Sequence, residues 1–524
     1  MTTNWIAGSE ARPRLHVVVA MAAAAVLAAP LSIPPPERAS APSARSHAHP
    51  GGDLGHVHPL TSLTSLPVGG WQQQPGSVTR HRDGGRKAKP ARGAVEVFQT
   101  GTQAAEPTLG VDDDGTIFYV SIDTSDPLPR WPVLRSNDGG RSWSDISPTL
   151  PNGSWAHFTS QDGMLYLDET TGRVFMTDFT GPCAPVSFTD DEGESWTTGA
   201  ACGLADHQNL FTGPPAISPT TGYPNVVYYC AIDGGALQEA SAATGCAKSL
   251  DGGRTFARTG APPFVDGINP APGNFGIPGR CSGVTGHGFV DHEGTVYMPR
   301  GWCGQPWLAI SRDEGATWTR VQVADNGMPF QAGGATEYDP SNATGFQEHE
   351  AGVVVDRSGT IHYLYTARNR LPYLVVSRDD GKTWETPLMV GPPGLREASL
   401  PAIDIDRKGR IAMAYVGSTN APGGDAPDGA GDEYRGVTWN GYVTVVDTPL
   451  TPRSELRTAT VNDPKDPLMI GECWILRCQQ QFDFIDVVLD RRGTAWTSMV
   501  DGCLGLQGCA SPGRGILGKV SIPR

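Results

Sequence analysis

The sequence predicts an all-β fold, a β-propeller of seven four-stranded blades. The first observation is a repeated octapeptide. Ser311-Arg-Asp-Glu-Gly-Ala-Thr-Trp318 recurs in its pattern as Ser136–Trp143, Thr189–Trp196, Ser249–Phe256 and Ser377–Trp384, at intervals of 53 to 66 residues. A period of this length marks a propeller, a solenoid or another repeat array. The second observation is another repeat between these copies, a strand, a tight Asp/Gly turn and an alternating strand. The third is composition: 66 glycines and 45 prolines with a near-normal apolar share, which suits many short strands and turns.

The shared octapeptide pattern is Ser/Thr-x-Asp-x-Gly-x-Ser/Thr-aromatic, and its chemistry fits a hairpin. The Asp carboxylate accepts backbone N–H groups within the turn, and Gly supplies a positive φ. The second repeat begins at Val111-Asp-Asp-Asp-Gly-Thr-Ile-Phe-Tyr119 and returns from Leu167, Ile217, Val290, Val355, Ile405 and Leu489, making seven units. Each unit supplies an inner pair of strands, and the octapeptide joins the outer pair. Units six and seven lack the octapeptide. For unit six, 436–446 and 456–461 offer the outer strands; for unit seven, 515–522 offers the third. The missing outer strand of unit seven is then Ala94–Gln99, which closes the ring and removes an exposed edge. A six-bladed ring with one irregular hairpin is the alternative.

Residues 1–41 read as a secretory signal peptide, because the apolar run Leu15–Ala29 follows Arg12 and Arg14 and is short for a bilayer span. Residues 42–93, rich in Pro, Ser, Gly and His, read as a low-complexity linker, and 94–524 as the propeller. His47, His49, His56 and His58 belong to that linker and read as a solvated arm. The net charge of −15 excludes the basic footprint of a nucleic-acid binder and attraction to an anionic membrane. Ten cysteines without a CxxC spacing imply disulfides in a secreted chain. Nearest-neighbour pairing is one connectivity among many.

The long insertions (201–215, 257–286, 320–349, 418–435 and 462–482) and all ten cysteines fall in connections that strand geometry puts on one face. That elaborated face is where a site is expected. Glu106, Asp162 and Glu350 each precede their turn aspartate (Asp112, Asp168, Asp356) by six residues, so all three sit around the mouth of the central channel. Converging carboxylates in a partly desolvated funnel can serve as general acid, base or nucleophile in glycoside hydrolysis. Asp206, His207, Arg300, Trp302, Arg368, His349, Glu397 and Asp483 are the substrate-binding candidates. The bland reading of each acid is a strand-end cap or a loop-amide acceptor. No cofactor is implied. The loop Gly423–Glu433 offers oxygen ligands for a structural Ca²⁺ but lacks an EF-hand spacing and reads as a solvated loop.

The octapeptide resembles the Asp-box, or bacterial neuraminidase repeat, of the sialidase-like β-propellers. The resemblance implies that these aspartates are structural and lie on the face opposite the active site. It also implies a Tyr–Glu nucleophile pair, with counterparts in Tyr338 or Tyr434 and Glu348 or Glu350. Sialidases have six blades, whereas seven units are counted here. They hold the substrate carboxylate with three arginines, the first in a Tyr/Phe-Arg-Ile-Pro sequence opening the first inner strand. Here that place reads Ala105-Glu-Pro-Thr108, and Glu106 repels a carboxylate. The expectation is a secreted, monomeric, sialidase-like glycosidase acting on an extracellular carbohydrate, without authentic sialidase specificity. The alternative is a non-catalytic propeller that binds glycan or protein on the same face.

Overall fold

Seven antiparallel blades make up the fold, each built on four strands, and the sheet of blade six carries two more. The computed structural model describes residues 78–80, 94–121, 132–149, 163–178, 183–233, 244–264, 285–302, 305–324, 351–367, 369–423, 432–451, 454–473, 483–503, 509 and 513–522. The inner strands of blades one to seven are Thr108–Val111, Met164–Asp168, Leu204–Gly213, Phe289–Val290, Gly352–Val355, Glu397–Ile405 and Asp486–Leu489. They line a central channel of about 790 Å³. Seven blades are therefore present, and the six-bladed alternative is not.

Ring closure follows the expected route. In blade seven Ala94–Ala104 pairs with Gly513–Ser521, outside Ala495–Asp501 and Asp486–Leu489. Blade six uses Thr438–Asp447 and Arg457–Thr460 as its third and fourth strands. Val78–Arg80, inside the stretch read as linker, adds a further strand against Arg457–Ala459.

Both repeated turns obey one rule: an Asp carboxylate gathers the amides of its own turn. Asp112 Oδ1 accepts from the N–H groups of Asp114, Gly115 and Thr116 at 2.8–3.0 Å. In the octapeptides, Asp313 accepts from Thr317 N and Thr317 Oγ1, and Ser311 Oγ bonds both Asp313 and Gly315 N. Asp138, Asp191, Asp251 and Asp379 repeat the arrangement. Bonds led by the Ser142 hydroxyl hold Asp138 down to about 2.

The tryptophans ending two of the octapeptides reach across the seam to the preceding blade. Trp196 Nε1 donates to Ile146 O and Trp318 Nε1 to Ala261 O, both 2.8 Å. Trp143, Trp196, Phe256 and Trp318 are only half-buried, while Trp384 is buried.

The blade three insertion is not a loop. Leu204–Gly213 is that blade's inner strand, bulged between Ala205 and Asn209. Two disulfides likewise join paired residues of neighbouring strands, Cys183 with Cys202 and Cys230 with Cys246. A third, Cys503–Cys509, closes a short connection. All three match nearest-neighbour pairing. Cys281, Cys303 and Cys478 lie outside the described residues. No described helix is long and apolar enough to cross a membrane.

Candidate active site

Backbone strain separates the two faces of the ring. Seven described non-glycine residues have positive φ, a conformation that costs free energy and clusters at functional sites. Glu192, Glu314 and Asp380 stand in octapeptide turns, at the place that Gly139 and Gly252 occupy in other copies. Glu106 (φ 50°), His207 (44°) and Arg370 (62°) lie towards the elaborated face, and Leu400 (56°) sits in the bulge of the blade six inner strand.

Glu106 opens blade one and is 4% exposed. Ser121 Oγ accepts from Ala105 N at 3.2 Å just before it, which ties the strained turn to the second strand. His207 and Asp483 belong to blades three and seven, which are not neighbours in the ring. They nonetheless meet at the channel mouth, Nε2 to Oδ2 3.9 Å. Beside them the rings of His287 (blade four) and Phe484 (blade seven) stand edge to face, 6.4 Å apart.

Deeper in the channel, carboxylates stitch blades together. Asp486 Oδ2 accepts from Leu109 N at 3.1 Å and Asp404 Oδ2 from Leu489 N at 2.6 Å. Both line the channel. Burial pushes each up to about 6, with His287 opposing at Asp486 and the Leu489 amide opposing at Asp404.

Between blades five and six lies a buried polar constellation. Arg370 sits in the turn after Ile361–Thr366, Glu397 starts the inner strand of blade six, and Tyr434 ends the 3₁₀ turn Asp432–Tyr434. The Tyr434 hydroxyl lies 2.8 and 3.1 Å from the two Glu397 oxygens. Arg370 Nη1 pairs with Glu397 Oε2 at 2.9 Å and donates to the Tyr434 hydroxyl. Gly423 N donates to Glu397 Oε1 at 2.9 Å. The phenol is thus poised to give its proton to a carboxylate while a guanidinium faces its oxygen. Burial raises the Tyr434 phenol, and Arg370 opposes that rise. Arg370 is 2% exposed, and Glu397 and Tyr434 are fully buried.

Of the sequence candidates, Glu106, His207, Arg300, Glu397 and Asp483 are described with their side chains. Arg300 is buried, donates to Thr244 Oγ1 at 2.7 Å and lies 5.7 Å from the Phe264 ring centre. Asp206 and Trp302 lie in strands, but their side chains are outside the described set. Asp162, His349, Glu350 and Arg368 are outside the described residues, as are Tyr338, Glu348 and the Ca²⁺ candidate loop from 424 to 431. Sequence reasoning did not join Glu397 to Tyr434 and Arg370. Glu397 precedes its turn Asp406 by nine residues, not six, because the strand bulges between Ser399 and Ala402.

No protein-family description and no curated protein matches the chain. Solved structures do. A protein of unknown function from Dyadobacter fermentans is 14% identical, over 82% of this chain and 99% of that one, with a TM-score of 0.40. The intramolecular trans-sialidase from Ruminococcus gnavus is 14% identical, over 78% and 92%, with a TM-score of 0.34. An α-L-arabinofuranosidase from Fusarium graminearum is 13% identical, over 70% and 95%, with a TM-score of 0.38. At this distance the likeness is one of fold, and chemistry has to come from the chain's own residues.

Proposed function

We propose that this chain is a secreted, monomeric glycoside hydrolase acting on an extracellular glycan at the elaborated face. The single observation that carries this reading is the Tyr434 hydroxyl held between Glu397 and Arg370. Tyr434 is the nucleophile, Glu397 its base and Arg370 the stabiliser of charge on the phenol oxygen. A rim carboxylic acid from Glu106, Asp162 or Glu350 protonates the leaving oxygen as the Tyr434 oxygen bonds to the anomeric carbon and Glu397 takes its proton. Water, deprotonated by the same rim carboxylate, then displaces the phenol, which recovers its proton from Glu397. Two displacements leave the anomeric configuration retained. His207 and Asp483, which meet at the channel mouth, are substrate-binding residues in this reading. Secretion is supported by the N-terminal apolar run and by the disulfides.

The test is turnover of aryl glycosides by the full chain and by Tyr434→Phe, Glu397→Gln and Glu350→Gln. Wild-type release with loss in Tyr434→Phe supports the reading; unchanged turnover in Tyr434→Phe removes it. A second reading is favoured by one observation, the full burial of Tyr434 and Glu397: a non-catalytic propeller that binds glycan or protein, in which this network is a strut. It predicts saturable binding and no product after long incubation.

A further inference from the structure

We propose that Arg396 is a positioning residue for the Tyr434–Glu397 couple, acting through the peptide group that joins Pro422 to Gly423. The inference rests on the reading of Tyr434 as nucleophile and Glu397 as its base.

Two successive residues grip the same stretch of chain. Arg396 donates through Nε to Ala421 O at 2.5 Å and through Nη2 to Pro422 O. Glu397, the next residue, accepts from Gly423 N at 2.9 Å through Oε1. Pro422 O and Gly423 N are the two ends of one peptide group, so Arg396 holds its oxygen while Glu397 takes its N–H. Hydrogen bonds chained in this way polarise one another, and a guanidinium on the oxygen makes the N–H a stronger donor. The start of the same arm is tied down separately. Ser418 Oγ accepts from Asn420 N at 3.2 Å and from Ala421 N at 3.0 Å, and Asn420 Oδ1 accepts from Thr438 N at 3.0 Å. Arg396 extends that hold to Gly423, whose φ of 86° lies in the left-handed region that favours glycine. A Cβ on Gly423 would lie 3.4 Å from Arg396 Nη2.

What the Gly423 N–H does follows from the other groups on the carboxylate. Glu397 Oε2 pairs with Arg370 Nη1 at 2.9 Å, while Oε1 is the oxygen nearer the phenol, 2.8 Å against 3.1 Å. A guanidinium and a carboxylate tend to pair through two parallel bonds, and such a pair would turn Oε1 towards Arg370 and away from Tyr434. A donor of its own on Oε1 opposes that turn and leaves the oxygen's second lone pair for the phenol proton. Arg396 is exposed, so what it adds is geometry and not relief of buried charge.

The experiment follows turnover of para-nitrophenyl glycosides by the full chain, by Arg396→Met, which keeps the apolar stem, and by Arg396→Lys, which keeps a charged donor. Circular dichroism and melting temperature are recorded for each. Arg396→Met is expected to lower kcat by about tenfold, on the order of one hydrogen bond to a charged group. KM stays within about twofold, because binding of the ground state is not what the grip serves. The acid limb of the kcat profile moves to higher pH, the sign expected when a carboxylate loses an N–H donor. Arg396→Lys recovers part of the loss, and decides by the same measurements where Arg396→Met does not fold. Turnover equal to wild type, or a change confined to KM, overturns the inference and leaves the hydrolase reading standing. A fall in kcat that comes with a lowered melting temperature and an unmoved pH profile marks a merely structural arginine and overturns it too. Absence of turnover by the wild-type chain removes the hydrolase reading, and the inference with it.

Discussion

Glu397 and Tyr434 lie 37 residues apart in sequence and 2.8 Å apart in space, joined by carboxylate and phenol. One starts the inner strand of blade six and the other ends the connection between that blade's second and third strands. The hairpin Glu397–Ser418 returns the chain to the same face, so the two meet without any distant element. Arg370 reaches them from blade five, where its carbonyl also accepts from Ala398 N at 2.6 Å. The couple is therefore registered by backbone as well as by side chains.

Tyr434→Phe removes the hydroxyl and little else. Turnover of the glycan substrate is expected to fall by about 10²–10⁴, while the melting temperature changes only by the worth of a hydrogen bond to a charged group, about 1.5–3 kcal/mol. Parallel kinetics and thermal unfolding check this. Glu397→Gln is less clean, because it leaves the buried Arg370 without its anionic partner, a change that costs about 3–5 kcal/mol in typical proteins.

Stability should peak on the acid side of neutrality. Asp404 and Asp486 have folded values near 6, above the ordinary unfolded value of about 3.9. Between those values the native state binds more protons than the unfolded one. These two groups therefore raise stability as the pH falls through 6 and leave a cost above it. Glu314 has the opposite sign: burial would raise it, but Lys248 and the Ser218 and Ile217 groups hold it at about 2. Its contribution is present above about pH 4 and is lost as pH falls towards 2. Melting temperature against pH should show a maximum between about 4 and 6, and Asp486→Asn should flatten the neutral limb.

Asp313→Ala tests the plain face. It removes the acceptor for Thr317 N and Thr317 Oγ1, so the melting temperature should drop while kcat/KM per folded molecule stays the same. A loss of kcat/KM without loss of stability would place chemistry on the wrong face.

Glu314→Gln tests a contact between blades three and four. Glu314 is fully buried, paired with Lys248 at 2.7 Å and bonded to Ile217 N and Ser218 N. Removing its charge should destabilise by about 3–5 kcal/mol, read by denaturant unfolding, with no change of substrate preference.

The ring was legible from sequence because its signals are local. Asp112 and Asp313 gather amides within four residues, and such turns mark their strands wherever they occur. Ring closure by Ala94–Gln99 was legible because blade seven lacked a fourth strand. The site was less so. Counting six residues back from a turn finds Glu106, but the bulge at Ser399–Ala402 shifts Glu397 out of that register. The bulge at Ala205–Asn209 made an inner strand look like an insertion for the same reason. Pairing of His207 with Asp483 across the axis depends on where the ring closes, which no local pattern encodes.

The central claim is that Tyr434 carries the glycosyl group. A slow 2-fluoro glycosyl fluoride of the sugar class whose aryl glycoside is turned over should trap the covalent species, read by intact mass and peptide mapping. The account predicts one glycosyl adduct per chain on the peptide bearing Tyr434, and none in Tyr434→Phe. An adduct on Glu106, Asp162, Glu350 or Glu397 that persists in Tyr434→Phe would contradict it.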